Sequence, residues 1–316
     1  NKPLIIYKTM GGFDVYTDFN ERIVLNSKNF KRFLNIKSNK LNSKIKELNC
    51  YVGFFGYELL CQNINIKLPK QKTSNFYPGL VYRPQTLIKI RKNITIKSLL
   101  KHFRKKIPLQ KNDNYFYEKK FNLNLNESQY SNLFKHFSKK IKLGETYQIK
   151  ICQTYSNKSN IDAVNFFWKL MSINESPESF LIRDKDYSII SCSPETLIKK
   201  KKNTITTKPI AGTLNRTKKM TTKYAMSYFK KNEKESKEHN MIVDMERNDL
   251  SRICKSGSVK ISKLKIVEEY RDLYHYVTEI KGTLKEKTSN HDIISAMMPG
   301  GSVIGCPKIN TLKLLN

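Results

Sequence analysis

Two glutamates three residues apart, Glu235 and Glu238, stand in the run 233–250, where Met241, Ile242 and Met245 recur at helical spacing. A helix puts both carboxylates on one face, beside an apolar stripe where an unpaired charge is costly. Mg2+ is the natural counter-ion, since it takes one or two carboxylates and leaves positions for ligand oxygens. A solvated helix face with lysines alongside accounts for the same spacing. Ser193-Pro194-Glu195 sets another carboxylate at a strand end, where half-burial raises its pKa and suits it to general-acid work. A surface turn has the same composition. In Pro209-Ile210-Ala211-Gly212-Thr213, proline fixes φ, Gly212 bares the backbone and Thr213 offers a hydroxyl to an oxygen anion. His275 lies in an aromatic, β-branched run, where a lone histidine is most often a satisfied core residue. Residues 299–308 carry Gly300, Gly301, Ser302 and Gly305 between prolines, a loop whose N–H groups can close on an anion just before a helix begins. Its spacing is not that of a nucleotide P-loop.

These residues need positioning elements. Short apolar or alternating runs at 4–7, 13–16, 51–57 and 80–90 predict a sheet over roughly the first hundred residues. The charged, irregular stretch 101–126, with Pro108 and an Asn-Asp-Asn run, reads as a connection. Tyr130, Leu133, Phe134, Phe137 and Ile141 predict a helix over 128–143, stopped at Gly144. A strand at 147–155, a helix at 163–171 and strands at 179–183 and 187–191 follow. This order predicts an antiparallel-rich α+β fold rather than strict βαβ alternation. The division expected is an N-terminal β-rich region, 1–120, and a catalytic region, 121–316.

The chain has 316 residues, enough for a substantial core, and its 17 Tyr and 16 Phe argue against disorder. Six scattered cysteines without a CxxC pair read as buried free thiols of a reducing compartment, with cytoplasm as the expected location. No apolar run is long enough to span a membrane. The net charge of +32 invites a nucleic-acid reading, but the lysines are dispersed among Asn and Ile and no nucleic-acid motif accompanies them. Compositional drift explains them equally well.

Taken in order, Gly53-Phe54-Phe55-Gly56-Tyr57-Glu58-Leu59, Gly144-Glu145-Thr146-Tyr147-Gln148-Ile149, Ser193-Pro194-Glu195, 209–213, Glu238-His239-Asn240 with Arg247-Asn248-Asp249, His275 and the 299–308 loop resemble the chorismate-utilising enzymes. That family contains anthranilate synthase component I, aminodeoxychorismate synthase component I, isochorismate synthase and salicylate synthase. The resemblance implies a sandwich of antiparallel sheets with outer helices, and a cleft holding the site. It implies Glu238 as a Mg2+ ligand with Glu235 beside it, and Gly212 and Thr213 as chorismate contacts. It also implies Glu195 as the acid that protonates the departing hydroxyl, His275 as a positioning group, and a cap over the bound dianion from Gly300, Gly301 and Ser302.

Water-using members carry a lysine base at the position matching Gln148, so an amide there implies ammonia as nucleophile and a glutamine amidotransferase subunit as its source. Ala211 excludes the covalent lysine of some aminodeoxychorismate synthases. Gly300-Gly301-Ser302 resembles the folate-branch loop, and residues 174–180 depart from the pattern of the tryptophan-feedback pocket. The expected activity is that of aminodeoxychorismate synthase component I, with anthranilate synthase component I as the rival. The resemblance continues past Asn316 in the family, with a second metal-ligating Glu, a Tyr and an Arg, so a C-terminally truncated chain of impaired activity is expected.

Overall fold

The computed structural model describes residues 2–36, 44–68, 76–101, 116–118 and 120–315. Pro108 and the Asn-Asp-Asn run fall outside them. The N-terminal strands are β1 (Leu4–Thr9), β2 (Gly12–Leu25), β3 (Val52–Phe55), β4 (Gly79–Ile90) and β5 (Ile94–Ser98). Two short ribbons follow, β6 (Phe116–Tyr117) with β10 (Ser159–Asn160) and β7 (Asn122–Leu123) with β9 (Tyr155–Ser156); between them in the chain lies β8 (Gln148–Ile149). Next come β11 (Glu178–Arg183), β12 (Ser188–Ser193), β13 (Thr196–Lys201), β14 (Thr204–Lys208), β15 (Ile210–Asn215), β16 (Lys260–Glu269), β17 (Leu273–Thr283) and β18 (Gly305–Cys306).

Among the described residues a seven-stranded sheet runs β12-β11-β1-β2-β4-β3 with β5 on β4, and a five-stranded sheet runs β13-β14-β17-β15 with β16 on β17. Their pairings are antiparallel, as the α+β expectation requires. Residues 178–193 therefore return to the sheet begun by residues 4–98. β2 is far longer than the four-residue run that its apolar residues marked. Between Phe19 and Glu21 it bulges beside Pro84, which has no N–H to give to a ladder.

Helices are α1 (Phe30–Leu34), α2 (Tyr57–Asn63), α3 (Glu127–Lys142), α4 (Ala163–Ile173), α5 (Thr222–Lys231), α6 (Glu233–Ile253), α7 (Asn290–Met297), α8 (Gly301–Ile304) and α9 (Lys308–Leu314). α3 sits where its periodicity placed it, closed by a capping box of Asn126 and Gln129. α4 lays Phe167 and Met171 on Ile6, Val15, Ile88 and Leu181 of the first sheet. Strand alternation turns Ile5, Leu80, Tyr82 and Ile182 to the opposite face, where a second apolar cluster forms. On the second sheet, Val243, Leu250 and Ile253 of α6 pack with Ile293 and Met297 of α7 against Ile205 and Ile280.

The strand expected over 147–155 is reduced to β8 and the ends of a ribbon. Its partner, β18, lies between α8 and Pro307, so Cys306 pairs with Gln148 and Gly305 with Ile149, and one further bond runs from the Lys150 N–H to the Ile304 carbonyl. The cysteines are free, but only Cys61 and Cys254 are buried; Cys50, Cys192 and Cys306 are half-buried and Cys152 is exposed. No helix among the described residues is long and apolar enough to cross a membrane.

Candidate active site

α6 supplies one wall. Asn232 caps it, its side chain accepting from the Glu235 N–H at 3.2 Å. Spacings of three and four then put Glu235, Glu238, His239, Ile242, Glu246 and Asp249 along one face. The face descends from half-buried at Glu235 and Glu238 to fully buried at Glu246.

β15 runs beside this face. His239 holds it there, with Nδ1 2.9 Å from the Ala211 carbonyl oxygen and Nε2 2.7 Å from Thr278 Oγ1. A carbonyl only accepts, so Nδ1 carries the proton and Nε2 accepts from the threonine. Burial pushes this imidazole's pKa down and keeps it neutral. Gly212 has φ +113, and a Cβ there would lie 3.0 Å from Phe229 Cε1 and 3.2 Å from Glu235 Oε2. Glycine is thus what lets the strand approach the Glu235 carboxylate. Thr213 faces His275 across the β15–β17 ladder, its Oγ1 3.0 Å from Nδ1. Burial lowers the His275 pKa, so this ring also stands neutral.

Glu195 lies on the link Ser193-Pro194-Glu195 that carries the chain from β12 in the first sheet to β13 in the second. Burial holds its carboxyl above the ordinary range. A hydroxyl donation from Ser302 Oγ to Oε1 at 3.0 Å, the Ile210 backbone N–H and the charge of Lys150 oppose that rise. Ser302 thus touches the acid itself.

β8 and β18 bring Gln148 to Glu238, with Nε2 donating to Oε1 at 2.8 Å. Gln148 Oε1 is buried without a hydrogen-bond partner among the described residues. Gly305, at φ +135, permits this approach, because a Cβ there would lie 2.0 Å from the Gln148 carbonyl oxygen. Gly305→Ala is therefore expected to cost about 3 kcal/mol or more of stability, from backbone strain and a broken ladder. A denaturant melt checks it; an unchanged midpoint would show that the ladder tolerates the methyl.

The 299–308 loop departs from expectation. Residues 301–304 form the short α8, and a Cβ on Gly301 would lie 2.0 Å from Met245 Sδ, one on Gly300 3.0 Å from Leu197 Cδ1. These glycines serve close packing of α8 on α6 and β13. Beneath them lies a buried ionic group that the motif reading passed over: Lys308 Nζ is 2.6 Å from Asp249 Oδ2 and donates to the Ala296 carbonyl at 2.8 Å, while Thr207 Oγ1 donates to Glu246 Oε2 at 3.2 Å. The signal was present in the continued three-and-four spacing of acids on α6.

The structure thus joins these residues in groups: Ser302 with Glu195, Gln148 with Glu238 one turn from Glu235, Gly212 against Glu235, and Thr213 with His275 across the β15–β17 ladder. A surface hollow of about 540 Å³ near Arg247, Lys255 and Lys285 lies elsewhere, at the far end of α6. Asn248, on its wall, is ten residues beyond Glu238, about 15 Å along the axis.

The family model for the chorismate binding enzyme matches residues 8–316. The chain belongs to this family. Chorismate binding enzymes similar to it include the anthranilate synthase component I-like protein of Synechocystis, 34% identical over 60% of this chain and 40% of that protein. Another is aminodeoxychorismate synthase component 1 of Bacillus subtilis, 33% identical over the same shares. The chain spans about 40% of the length of these curated relatives. Among solved structures, anthranilate synthase component I from Streptococcus pneumoniae shares the fold with a TM-score of 0.77 at 23% identity, over 99% of this chain and 74% of that one. The menaquinone-specific isochorismate synthase from Escherichia coli shares it with a TM-score of 0.71 at 14% identity, over 100% and 72%.

Proposed function

We propose that this chorismate binding enzyme is an aminating synthase, exchanging a ring hydroxyl of chorismate for ammonia in the manner of aminodeoxychorismate synthase component I. Gln148 carries the reading. Its Nε2 is committed to Glu238, which leaves its buried Oε1 an acceptor without a hydrogen-bond partner among the described residues. An amide oxygen can receive an N–H and orient ammonia, but an amide cannot take a proton from water. Ammonia needs no base to become a nucleophile.

In this reading the nitrogen lone pair forms the new C–N bond as the C–O bond breaks. The hydroxyl departs as water with the proton of Glu195, and the Glu195 carboxylate then accepts a proton from the newly bound nitrogen. His275 and Thr213 hold each other in place beneath the ring, and the neutral imidazole adds no charge that would bind the anion elsewhere.

Among the described residues no cluster of three or more His, Cys, Asp or Glu is arranged as a metal site. Mg2+ requires less, and the donor set suits it: Glu235 and Glu238 lie one turn apart on the open end of the α6 face, with the unpartnered Gln148 oxygen beside them. Bound there, Mg2+ would supply positive charge to a substrate carboxylate. A glutamine amidotransferase subunit is the proposed source of ammonia. Anthranilate formation is the second reading, favoured by the anthranilate synthases among the similar proteins.

Chorismate, ammonium and Mg2+ supplied to the full-length gene product test this. A product that becomes 4-aminobenzoate only after addition of a separate lyase supports the first reading, and direct anthranilate fluorescence the second. A hydroxylated product without nitrogen overturns amination.

A further inference from the structure

Lys150 has no part in the reaction just described, yet its side chain enters the same cleft. Side chains alternate along an extended strand, so Gln148 and Lys150 share a face. The Lys150 N–H donates to the Ile304 carbonyl at 3.1 Å, which continues the β8–β18 ladder by one residue and fixes that direction. Both side chains converge on one atom, Glu238 Oε1, with Gln148 Nε2 at 2.8 Å and Lys150 Nζ at 3.9 Å. The lysine contact is long, and the side chain is 44% exposed. An ammonium has three donors, and a contact of 3.9 Å with Glu238 leaves it able to turn to another anion. Its field also reaches Glu195, where it favours the carboxylate. Among the described residues, the other lysines near this cleft have partners of their own: Lys308 pairs with Asp249, and Lys265 Nζ lies 3.1 Å from Ser236 Oγ.

We propose that Lys150 is a substrate-binding residue that a divalent cation displaces from Glu238 and that then pairs with a carboxylate of the incoming dianion. The proposal rests on the metal and substrate reading given above. Before the metal arrives, the ammonium is the cation nearest the Glu238 oxygen among the described residues, and two cations cannot share one carboxylate oxygen at close range without repulsion. Metal binding must therefore compete with Lys150. The freed ammonium remains on the same face, where a doubly charged anion needs a counter-charge. Lys150 thus weakens metal binding alone and strengthens substrate binding once metal is present, which makes the two ligands cooperative.

The test uses Mn2+ as the probe, its binding read by electron paramagnetic resonance on the full-length gene product without chorismate. Steady-state kinetics at saturating Mg2+ accompany it. Lys150→Gln is expected to tighten Mn2+ binding about three- to tenfold and to raise KM for chorismate about tenfold with kcat nearly unchanged. Lys150→Arg, which keeps the charge, is expected to stay close to the parent in both. Unchanged Mn2+ affinity and unchanged KM in Lys150→Gln would overturn the proposal and leave Lys150 a solvated surface charge. In the parent, Glu238→Gln is expected to abolish tight Mn2+ binding. If it does not, the metal reading itself falls, and the proposal falls with it.

Discussion

Glu195→Gln is expected to lower kcat about a thousandfold, within the range lost when a positioned acid is removed, while KM for chorismate moves little. Glutamine matches the shape of the carboxylic acid and can accept the Ser302 hydroxyl that Glu195 now accepts at 3.0 Å. What it lacks is the proton. The pH profile gives a second, independent readout. Burial raises the pKa of Glu195, so the protonated acid persists toward neutral pH and kcat falls as pH rises through that raised value. Ser302 donates to the carboxylate and so favours its ionised form. Ser302→Ala removes that donor and should carry the alkaline limb of the profile to higher pH, with a smaller loss of rate. A profile that Ser302→Ala leaves in place, or a Glu195→Gln variant with near-parental kcat, would assign the proton to another group.

Sequence reasoning saw this acid because Ser-Pro-Glu follows the end of a predicted strand, and because the motifs fell in a recognisable order. It saw α6 because Met241, Ile242 and Met245 repeat at helical spacing, and it saw Glu235 and Glu238 because they share a face. It passed over Glu246, Asp249 and Lys308. Charges on a helix are ordinarily solvated, and nothing local in residues 246–249 says that α7, α9 and β14 close over them. Burial is decided by partners distant in the chain: Lys308 lies 59 residues beyond Asp249, and Thr207 is 39 residues from Glu246. The packing role of the 299–308 loop was hidden in the same way. Its glycines suggest a bare backbone for an anion, and Gly301 also meets the sulfur of Met245, 56 residues earlier, which no local pattern announces. β8 is shorter than the strand expected over 147–155 because the length of a strand is set by its partner, and β18 offers two residues. The family resemblance carried the roles of Gln148 and Glu195 further than spacing alone allowed, since neither residue stands out in composition.

The buried acid on α6 yields the last expected result, in stability rather than rate. Burial, the neighbouring Asp249 and the Glu195 carboxylate raise the Glu246 pKa to about 8, against the opposing charge of Lys308 and the Thr207 hydroxyl. The unfolded chain gives up the same proton near the ordinary glutamate value of about 4.3. Between those two values the folded state binds more protons than the unfolded one, so stability is fullest below the lower value and declines as pH rises through about 8. The whole decline is on the order of 3–5 kcal/mol. Glu246→Gln keeps the neutral shape and an oxygen for the Thr207 hydroxyl but cannot ionise. It should melt close to the parent at pH 5 and well above it at pH 9, flattening the dependence of Tm on pH. Parallel Tm curves for variant and parent would mean that Glu246 stays ionised against Lys308 throughout, and that the floor of the cleft is a paired anion rather than a neutral acid. The distinction reaches the chemistry above it. A neutral Glu246 spares Glu195 a second negative charge from below, so below pH 8 Glu246→Gln should leave the alkaline limb of the rate where the parent has it.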